Sequence, residues 1–299
     1  MFYSELIKID NLNIKQNEPM AAYTTLGVGG PADYFISVYN VDALSKIIKL
    51  ANANSIPWMI IGDGSNLLVS DKGIKGFVIH LEGDFERISI NKNAIRCGSS
   101  AKISKIADEA AKQSLSGLEG VGTVPGSVGG AVVMNAGTHR GYIDEVITKV
   151  CVIDSEGESK ELSKTDCGFT YRGSKFQNDK SLIITFVEML LKQGDDKAIA
   201  THLADMRKHR QQTQPQGKSA GCFFKNPENN SAGRLIEKAE CKGMKLGGAV
   251  VSDIHCNFMM NSGNASASDL WQLSQKVKQI VLNSSGIELE YEVRLIGEW

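Results

Sequence analysis

The hydrophobic pattern changes period repeatedly along the 299 residues, and each change marks an element. Apolar side chains at 44, 47, 48 and 51 recur at the spacing of one helical face and predict an amphipathic helix over 42–52. Ile103, Ile106, Ala107 and Ala110 predict another over 101–113, capped by Ser99 or Ser100. Ile199, His202, Leu203 and Met206 predict a third, started by Asp195 or Asp196; His202 at this spacing reads as a packed histidine rather than a ligand. A short helix is predicted over 232–239. The last helix, capped by Ser266 or Ser268, carries Leu270, Leu273, Val277, Ile280 and Val281 as its buried stripe. Alternating or continuous apolar runs predict strands at 34–38, 57–61, 77–81, 94–98, 146–153 and 181–191, the last long enough to be central. Residues 243–251 predict a turn and then a strand. The run 287–296 alternates cleanly, with Leu289, Tyr291, Val293 and Leu295 on one face and Glu288, Glu290, Glu292 and Arg294 on the other. Residues 1–20 are polar and weakly patterned, and predict a short helix or arm. The mixture reads as an α+β protein.

Residues 117–137 are different in kind. They hold seven glycines and one proline, and no charged side chain except Glu119. Glycine is unfavourable inside helices and strands because it loses the most backbone freedom on folding. Flexible linkers are rich in glycine and serine, but here Val121, Val124, Val128, Val132, Val133 and Met134 call for burial. Buried backbone must find hydrogen-bond partners. Two solutions are open: a concave nest of amides for an anionic ligand, or a tight turn packing two elements closely.

Composition narrows the class. With 42% apolar and 22% charged residues the chain reads as soluble and globular. A net charge of −1 gives no electrostatic case for nucleic acid or an anionic membrane. No apolar run approaches the ~20 residues of a spanning helix, and the start lacks the basic and apolar regions of a signal peptide. The six cysteines form no C-x-x-C pair and read as reduced cytosolic thiols. The five histidines do not join them at zinc-like spacing, so no metal is expected.

Three further stretches carry candidate chemistry. Gly62-Asp-Gly-Ser-Asn-Leu-Leu-Val follows an apolar strand, but it is neither G-x-G-x-x-G nor a P-loop. In Cys167-Gly-Phe-Thr-Tyr-Arg-Gly-Ser-Lys-Phe, Arg172 sits among aromatics and glycine rather than on a helix face. Residues 210–227 are polar and loop-like, with Lys218, Lys225 and Asn226 beside small residues, which suits phosphate and an amide-bearing sugar. Phe223 and Phe224 argue against a merely solvated loop.

Val-Pro-Gly-Ser-Val-Gly-Gly-Ala-Val-Val-Met-Asn-Ala-Gly, ending at Gly137, closely resembles the flavin loop of the bacterial UDP-N-acetylenolpyruvoylglucosamine reductases. The opening Thr-Thr-Leu-Gly-Val-Gly-Gly-Pro-Ala from Thr24, Tyr-Arg-x-Ser-x-Phe, Gly-Cys-Phe-Phe-Lys-Asn-Pro and Leu-Glu-x-Glu-Val-Arg-x-Ile-Gly resemble that family's motifs, in order, over residues 24–297. No extra loop lies between Arg172 and Phe186, which is similar to the shorter form of the enzyme. The resemblance implies an α+β FAD-binding fold of the vanillyl-alcohol-oxidase type with a C-terminal α+β substrate lobe. It divides the chain at 1–75 and 76–200, two FAD subdomains, and 201–299, a substrate domain whose final strand returns to the active cleft.

Further expectations rest on the same resemblance. FAD is held by Gly62, Asp63, Gly64, Ser65, Asn66 and Leu67, and by Thr123, Pro125, Gly126, Ser127, Gly129, Gly130, Ala131, Asn135 and Gly137. Asp63 stands where the family commonly has glycine, and with no histidine in that loop the FAD is expected to be non-covalent. Arg210, Lys218, Lys225, Asn226 and His255 contact a UDP-sugar, and NADPH is the hydride donor. Arg172 and Glu292 are catalytic, and Cys222 stands where the family's proton-donating serine does. A free thiol, with pKa ~8.5, is mostly protonated at neutral pH. Glu292 fits beside a developing oxyanion if burial keeps it protonated. The expected activity is reduction of UDP-N-acetylglucosamine enolpyruvate in peptidoglycan precursor synthesis, by a cytoplasmic monomer that binds neither nucleic acid nor membrane. The alternatives are another FAD oxidoreductase of this fold acting on a small alcohol or hydroxy acid, and a non-catalytic nucleotide-binding module.

Overall fold

The structure, a computed structural model, describes residues 2–138 and 140–299. The chain divides into two compact units. One collects Met1–Lys15, Tyr34–Gly62 and Gly76–Lys208, and the other Gln16–Asp33, Asp63–Lys75 and His209–Trp299.

The first unit is built on two sheets. Strands Leu12–Pro19, Pro31–Val38, Ile74–Leu81 and Trp58–Ile61 lie side by side in that order, the last two parallel. Helix α1 (Phe2–Leu6) precedes them, and helix α2 (Val41–Ala53) has its first turn capped by Asn40, whose side chain accepts from the Ala43 N–H. Leu44, Ile47, Ile48 and Ala51 of α2 are buried with Ile36, Val38, Phe77 and Ile79, as the helical spacing predicts. Leu12–Pro19 corrects the expectation of an arm. It is an edge strand with most side chains wholly or partly in solvent, so no apolar alternation marks it in the sequence.

The second sheet is antiparallel in the order Ser159–Ser163, Ile147–Ile153, Ile183–Leu190, Ala94–Gly98, Ile88–Asn91. The long apolar strand Ile183–Leu190 is central, because side chains on both of its faces are buried. Helix α3 (Ile103–Ala111), helix α4 (Val128–Met134) and helix α5 (Asp196–Thr213) cover one face through Ile106, Ala107, Val132, Ile199 and Leu203. Neither Ser99 nor Ser100 caps α3, contrary to expectation. The cap position is Lys102, whose side chain does not cap the helix, and the Ser99 and Ala101 carbonyls accept from Gly129 and Val128. Asp195 does start α5, its carboxylate accepting from the Ala198 N–H.

The second unit packs helix α6 (Ala232–Lys238) and helix α7 (Ala267–Ser285) with a sheet of order Ser219–Cys222, Phe258–Asn261, Ala249–Val251, Lys245–Leu246. Ser266 caps α7 in a capping box with Asp269. Asp71, from far along the chain, also accepts from the Ala267 and Ser268 N–H groups. The buried stripe Leu270, Leu273, Val277 and Val281 meets Leu235, Ile236, Phe223, Phe224, Leu289 and Val293 in one core. Two expectations need correction. Residues 210–227 are not one loop: Arg210 lies in the last turn of α5 and Ser219–Cys222 is a strand. Of 287–296 only Arg294–Ile296 is strand, parallel to Leu67–Val69, while Tyr291 makes a single bridge to Phe224. Alternation requires a neighbouring strand to become a ladder, and most of this run has none.

Candidate functional site

In the first unit the glycine stretch folds into two parts. Val128–Met134 form α4, short enough to tolerate Gly129 and Gly130 because Ser127 caps it and Asn135, left-handed at φ 42°, closes it. The α4 amides are already paired. Val128 donates to the Ala101 carbonyl (2.9 Å), Gly129 to Ser99 (2.7 Å) and Gly130 to the Ser127 hydroxyl (3.3 Å). Close packing therefore explains Gly129: a Cβ there would lie 3.0 Å from the Ser99 Cβ and 3.1 Å from its carbonyl oxygen. Of the two openings in the sequence, the tight buried junction accounts for 127–131.

A polar ligand accounts for what remains. The Ser99 and Thr123 hydroxyl oxygens are buried and have no hydrogen-bond partner within the protein. A buried hydroxyl left unpaired costs roughly 1–3 kcal/mol. Pro125 is exposed and Thr123, Gly126 and Gly62 are half-exposed, so this wall is open to a ligand. Glu119, the stretch's one carboxylate, is buried and turned onto the Gly117 N–H (2.7 Å). An uncharged wall carrying unsatisfied hydroxyls fits the polar groups of a dinucleotide such as FAD.

The same stretch anchors Arg172. Thr170 and Gly173 exchange backbone hydrogen bonds and leave Tyr171-Arg172 as a two-residue turn. Asn135 ties this turn to α4 by donating to the Thr170 carbonyl (3.0 Å). Arg172 donates from Nη1 to the Gly137 carbonyl (2.8 Å), accepts from Gln177 Nε2 at its own carbonyl (2.9 Å), and lies 5.7 Å from the Tyr171 ring centre. Its φ is +54°, a left-handed conformation that costs a non-glycine residue about 1 kcal/mol or more. This is a half-buried, strained cation rather than a solvated surface arginine.

In the second unit the chain brings Cys222 and Glu292 into one hydrogen-bonded frame. Cys222 ends its strand opposite Phe258. The next carbonyl, Phe223, accepts from the N–H groups of Glu292 (3.0 Å) and Val293 (3.3 Å). Lys225 N–H donates to the Glu290 carbonyl (2.8 Å). Asn66 locks the other side: its Nδ2 donates to the Glu292 carbonyl (3.0 Å), and its own carbonyl accepts from Arg294 (2.9 Å). Gly64, at φ +61°, sits so close to Tyr23 that an added Cβ would come 2.0 Å from the Tyr23 carbonyl oxygen. Cys222 and Glu292 are both half-exposed, whereas Glu288 and Glu290 face solvent as the alternating pattern suggests.

Burial lowers the pKa of the Arg210 guanidinium, while the charge of the Cys222 thiolate acts in the opposite direction. Lys218 is exposed, its alkyl chain lying along Gly27. Asn226 accepts from the Ala232 N–H at the start of α6, and Lys225 meets the exposed Glu290 carboxylate at 3.4 Å. Burial holds the His255 imidazole below its ordinary pKa; its Nδ1 accepts from the Asn257 N–H, so the neutral ring carries its proton on Nε2. Every cysteine stands as a thiol. Burial pushes Cys97 up to about 12 and Cys167 up to about 11, so neither is a reactive thiol.

Asn257 escaped the sequence reading. Its fully buried amide grips Phe224 from both ends, accepting from its N–H (3.0 Å) and donating to its carbonyl (2.8 Å), while the Asn257 carbonyl takes the Phe223 N–H (2.7 Å). The available signal was an amide inside the apolar run His-Cys-Asn-Phe-Met-Met. Asn257→Ala strands both polar groups of Phe224, each worth roughly 1–3 kcal/mol when buried unpaired. Chemical denaturation should show a loss of about 2–5 kcal/mol, with faster alkylation of Cys222. Unchanged stability would mean that the clamp is redundant.

Among the described residues no group of three His, Cys, Asp or Glu side chains is placed to hold a metal ion, and no helix is long and apolar enough to cross a membrane. Residues 32–163 match the family described as FAD binding domain, and 211–296 match UDP-N-acetylenolpyruvoylglucosamine reductase, C-terminal domain. The chain is 39% identical over 285 residues to UDP-N-acetylenolpyruvoylglucosamine reductase 2 of Symbiobacterium thermophilum, covering 95% of this chain and 92% of that protein. It is 37% identical to the Bacillus pumilus reductase, covering 99% and 98%. The crystal structure of UDP-N-acetylenolpyruvylglucosamine reductase from Thermus caldophilus superposes with a TM-score of 0.83 at 35% identity, covering 96% of this chain and 99% of that one.

Proposed function

The chain belongs to the UDP-N-acetylenolpyruvoylglucosamine reductase family, and on that premise we propose which of its residues carry the family's reaction. The protein is an FAD-binding oxidoreductase of α+β fold that uses NADPH to reduce UDP-N-acetylglucosamine enolpyruvate to UDP-N-acetylmuramate, a step of peptidoglycan precursor synthesis. Bound FAD would supply the hydride chemistry between NADPH and one carbon of the enolpyruvyl double bond.

The chain's own residues do the rest. The other alkene carbon, next to the carboxylate, must receive a proton, and negative charge grows on that carboxylate as it does so. Arg172 stabilises this charge: a permanent cation on a constrained turn needs little reorganisation. The Cys222 thiol delivers the proton and is reloaded from solvent or Glu292. The observation that carries this assignment is the backbone frame in which Phe223, the residue after Cys222, accepts from Glu292. Glu292 serves beside the oxyanion in its protonated form, since a bare carboxylate there would repel the developing charge.

We assign the non-covalent binding of FAD to residues 62–67 and to Thr123, Pro125, Gly126, Ser127, Gly129, Gly130, Ala131, Asn135 and Gly137. The paired α4 amides leave the Ser99 and Thr123 hydroxyls as the groups with capacity to spare. Arg210, Lys218, Lys225, Asn226 and His255 are assigned to the UDP-sugar, with residues 1–75 and 76–200 serving mainly FAD and 201–299 the substrate. A cytoplasmic monomer with no nucleic-acid or membrane partner completes the reading.

The test is the visible spectrum of the purified protein. A flavin spectrum that bleaches with NADPH and returns anaerobically with the enolpyruvyl sugar is expected. Bleaching without return would move the activity to another substrate, and a colourless protein that takes up no FAD would sink the redox reading.

A further inference from the structure

Arg172 occupies a place that chains ordinarily give to another residue. It is the third residue of the four-residue turn 170–173, with φ +54°. A positive φ at that position is ordinarily left to glycine or asparagine, because a larger side chain is crowded there. The bonds exchanged by Thr170 and Gly173 close the turn but do not engage the Arg172 carbonyl. The half-buried Gln177 does. Its Nε2, with two hydrogens to give, donates to that carbonyl at 2.9 Å and to the Met134 Sδ, in the last turn of α4, at 3.1 Å.

Gln177 is itself fixed. It ends the short helical turn Lys175–Gln177, its N–H donating to the Ser174 carbonyl, and the buried Ser174 hydroxyl donates to the Val133 carbonyl at 2.8 Å. Its amide therefore spans from α4 to the peptide that follows Arg172. Asn135 pins the front of the turn at the Thr170 carbonyl, and Gln177 pins its back. Peptide groups are planar, so a bond that fixes the Arg172 oxygen limits rotation about its Cα–C bond and keeps the residue in the left-handed well. The guanidinium, anchored on the Gly137 carbonyl, then starts from a fixed Cα. We propose that Gln177 is a positioning residue for the reduction: it holds Arg172 in its left-handed conformation, so that the guanidinium meets the charge developing on the substrate carboxylate. The inference rests on the role given to Arg172 above.

Stopped-flow reoxidation of the NADPH-reduced holoenzyme by the enolpyruvyl sugar tests it, in the parent protein, Gln177→Met, Arg172→Gly and the double variant. Methionine keeps the length of the side chain and loses the donor. Gln177→Met should slow reoxidation about 10- to 100-fold, the scale on which a small misplacement of a catalytic group costs rate. Flavin reduction by NADPH and the sugar concentration giving half the maximal rate should both hold, because the charge that Arg172 meets grows only in the transition state. Gln177→Leu, also without a donor, should behave the same. Added to Arg172→Gly, Gln177→Met should change the rate no further, since no guanidinium is left to place. A glutamine that serves only the fold would cost the same factor in both backgrounds. That result, or parent-like reoxidation in Gln177→Met and Gln177→Leu, would overturn the inference and leave the role of Arg172 standing. Arg172→Gly protein that reoxidises at the parent rate would remove Arg172 from the reaction, and this inference with it.

Discussion

Cys222→Ala should lose about 10²- to 10⁴-fold in product formation, the contribution of a positioned general acid, while NADPH still bleaches the bound flavin at the parent rate. The split follows from where the thiol acts. Hydride transfer from NADPH needs no proton from Cys222, whereas completing the reduced ether does. Cys222→Ser should retain measurable turnover, because a hydroxyl of similar size keeps a proton at the same place, although it is a much weaker acid. The backbone frame supports a clean comparison: Phe223 and Phe224 are held through their own N–H and carbonyl groups by Asn257 and Glu292, none of which involves the 222 side chain. Alkylation of Cys222 should also inactivate, and UDP-sugar should protect. The thiols at 97, 167, 241 and 256 are buried, and Cys151, the other half-exposed one, is raised in pKa mainly by burial, so Cys222 is the preferred target. Stopped-flow traces in which Cys222→Ala protein passes hydride to substrate and releases product at the parent rate would remove the thiol from the mechanism.

Arg172→Gly should lower turnover about 10²- to 10³-fold, as loss of an electrostatic stabiliser does, without lowering the melting temperature. The stability half of this expectation comes from the backbone. Glycine accepts the +54° φ freely and recovers about 1 kcal/mol of strain, which offsets the lost bond from Nη1 to the Gly137 carbonyl, typically ~1 kcal/mol. A strained arginine that a glycine can replace without cost to folding is held there for function. Arg172→Lys should not rescue activity, since an ammonium lacks the guanidinium's fixed fork. Thermal unfolding together with steady-state kinetics decides the point. A much lower melting temperature with parallel loss of activity would make Arg172 structural, and retained turnover would remove it from catalysis.

The elements that the sequence revealed are those whose information is local. The α2, α3 and α7 stripes were legible because each helix buries its own face, and the central position of Ile183–Leu190 followed from its long apolar run with few breaks. The edge strand Leu12–Pro19 was illegible because its partner supplies backbone groups rather than a buried surface. The α3 cap was misread for a related reason: Ser99 and Ala101 present carbonyls to residues 128 and 129, a pairing no local cap rule contains. The long alternation of 287–296 overstated a strand that only three residues form.

The candidate site divides along the same line. Residue types and their order are properties of the chain, so the sequence by itself determined an uncharged glycine-rich wall, an arginine among aromatics, a cysteine before paired phenylalanines and a glutamate in the last apolar alternation. Which of these groups act together was decided only by tertiary structure. The bond from Asn66 to Glu292 joins residues 226 apart, the Asn257 clamp on Phe224 spans 33 and the Arg172 bond to Gly137 spans 35. A hydrogen bond between distant residues leaves no periodic trace, and its partners are chosen by the packing of whole elements. For that reason the sequence could name Glu292 and Arg172, but only the fold could show the frame that holds Glu292 and the strain in Arg172.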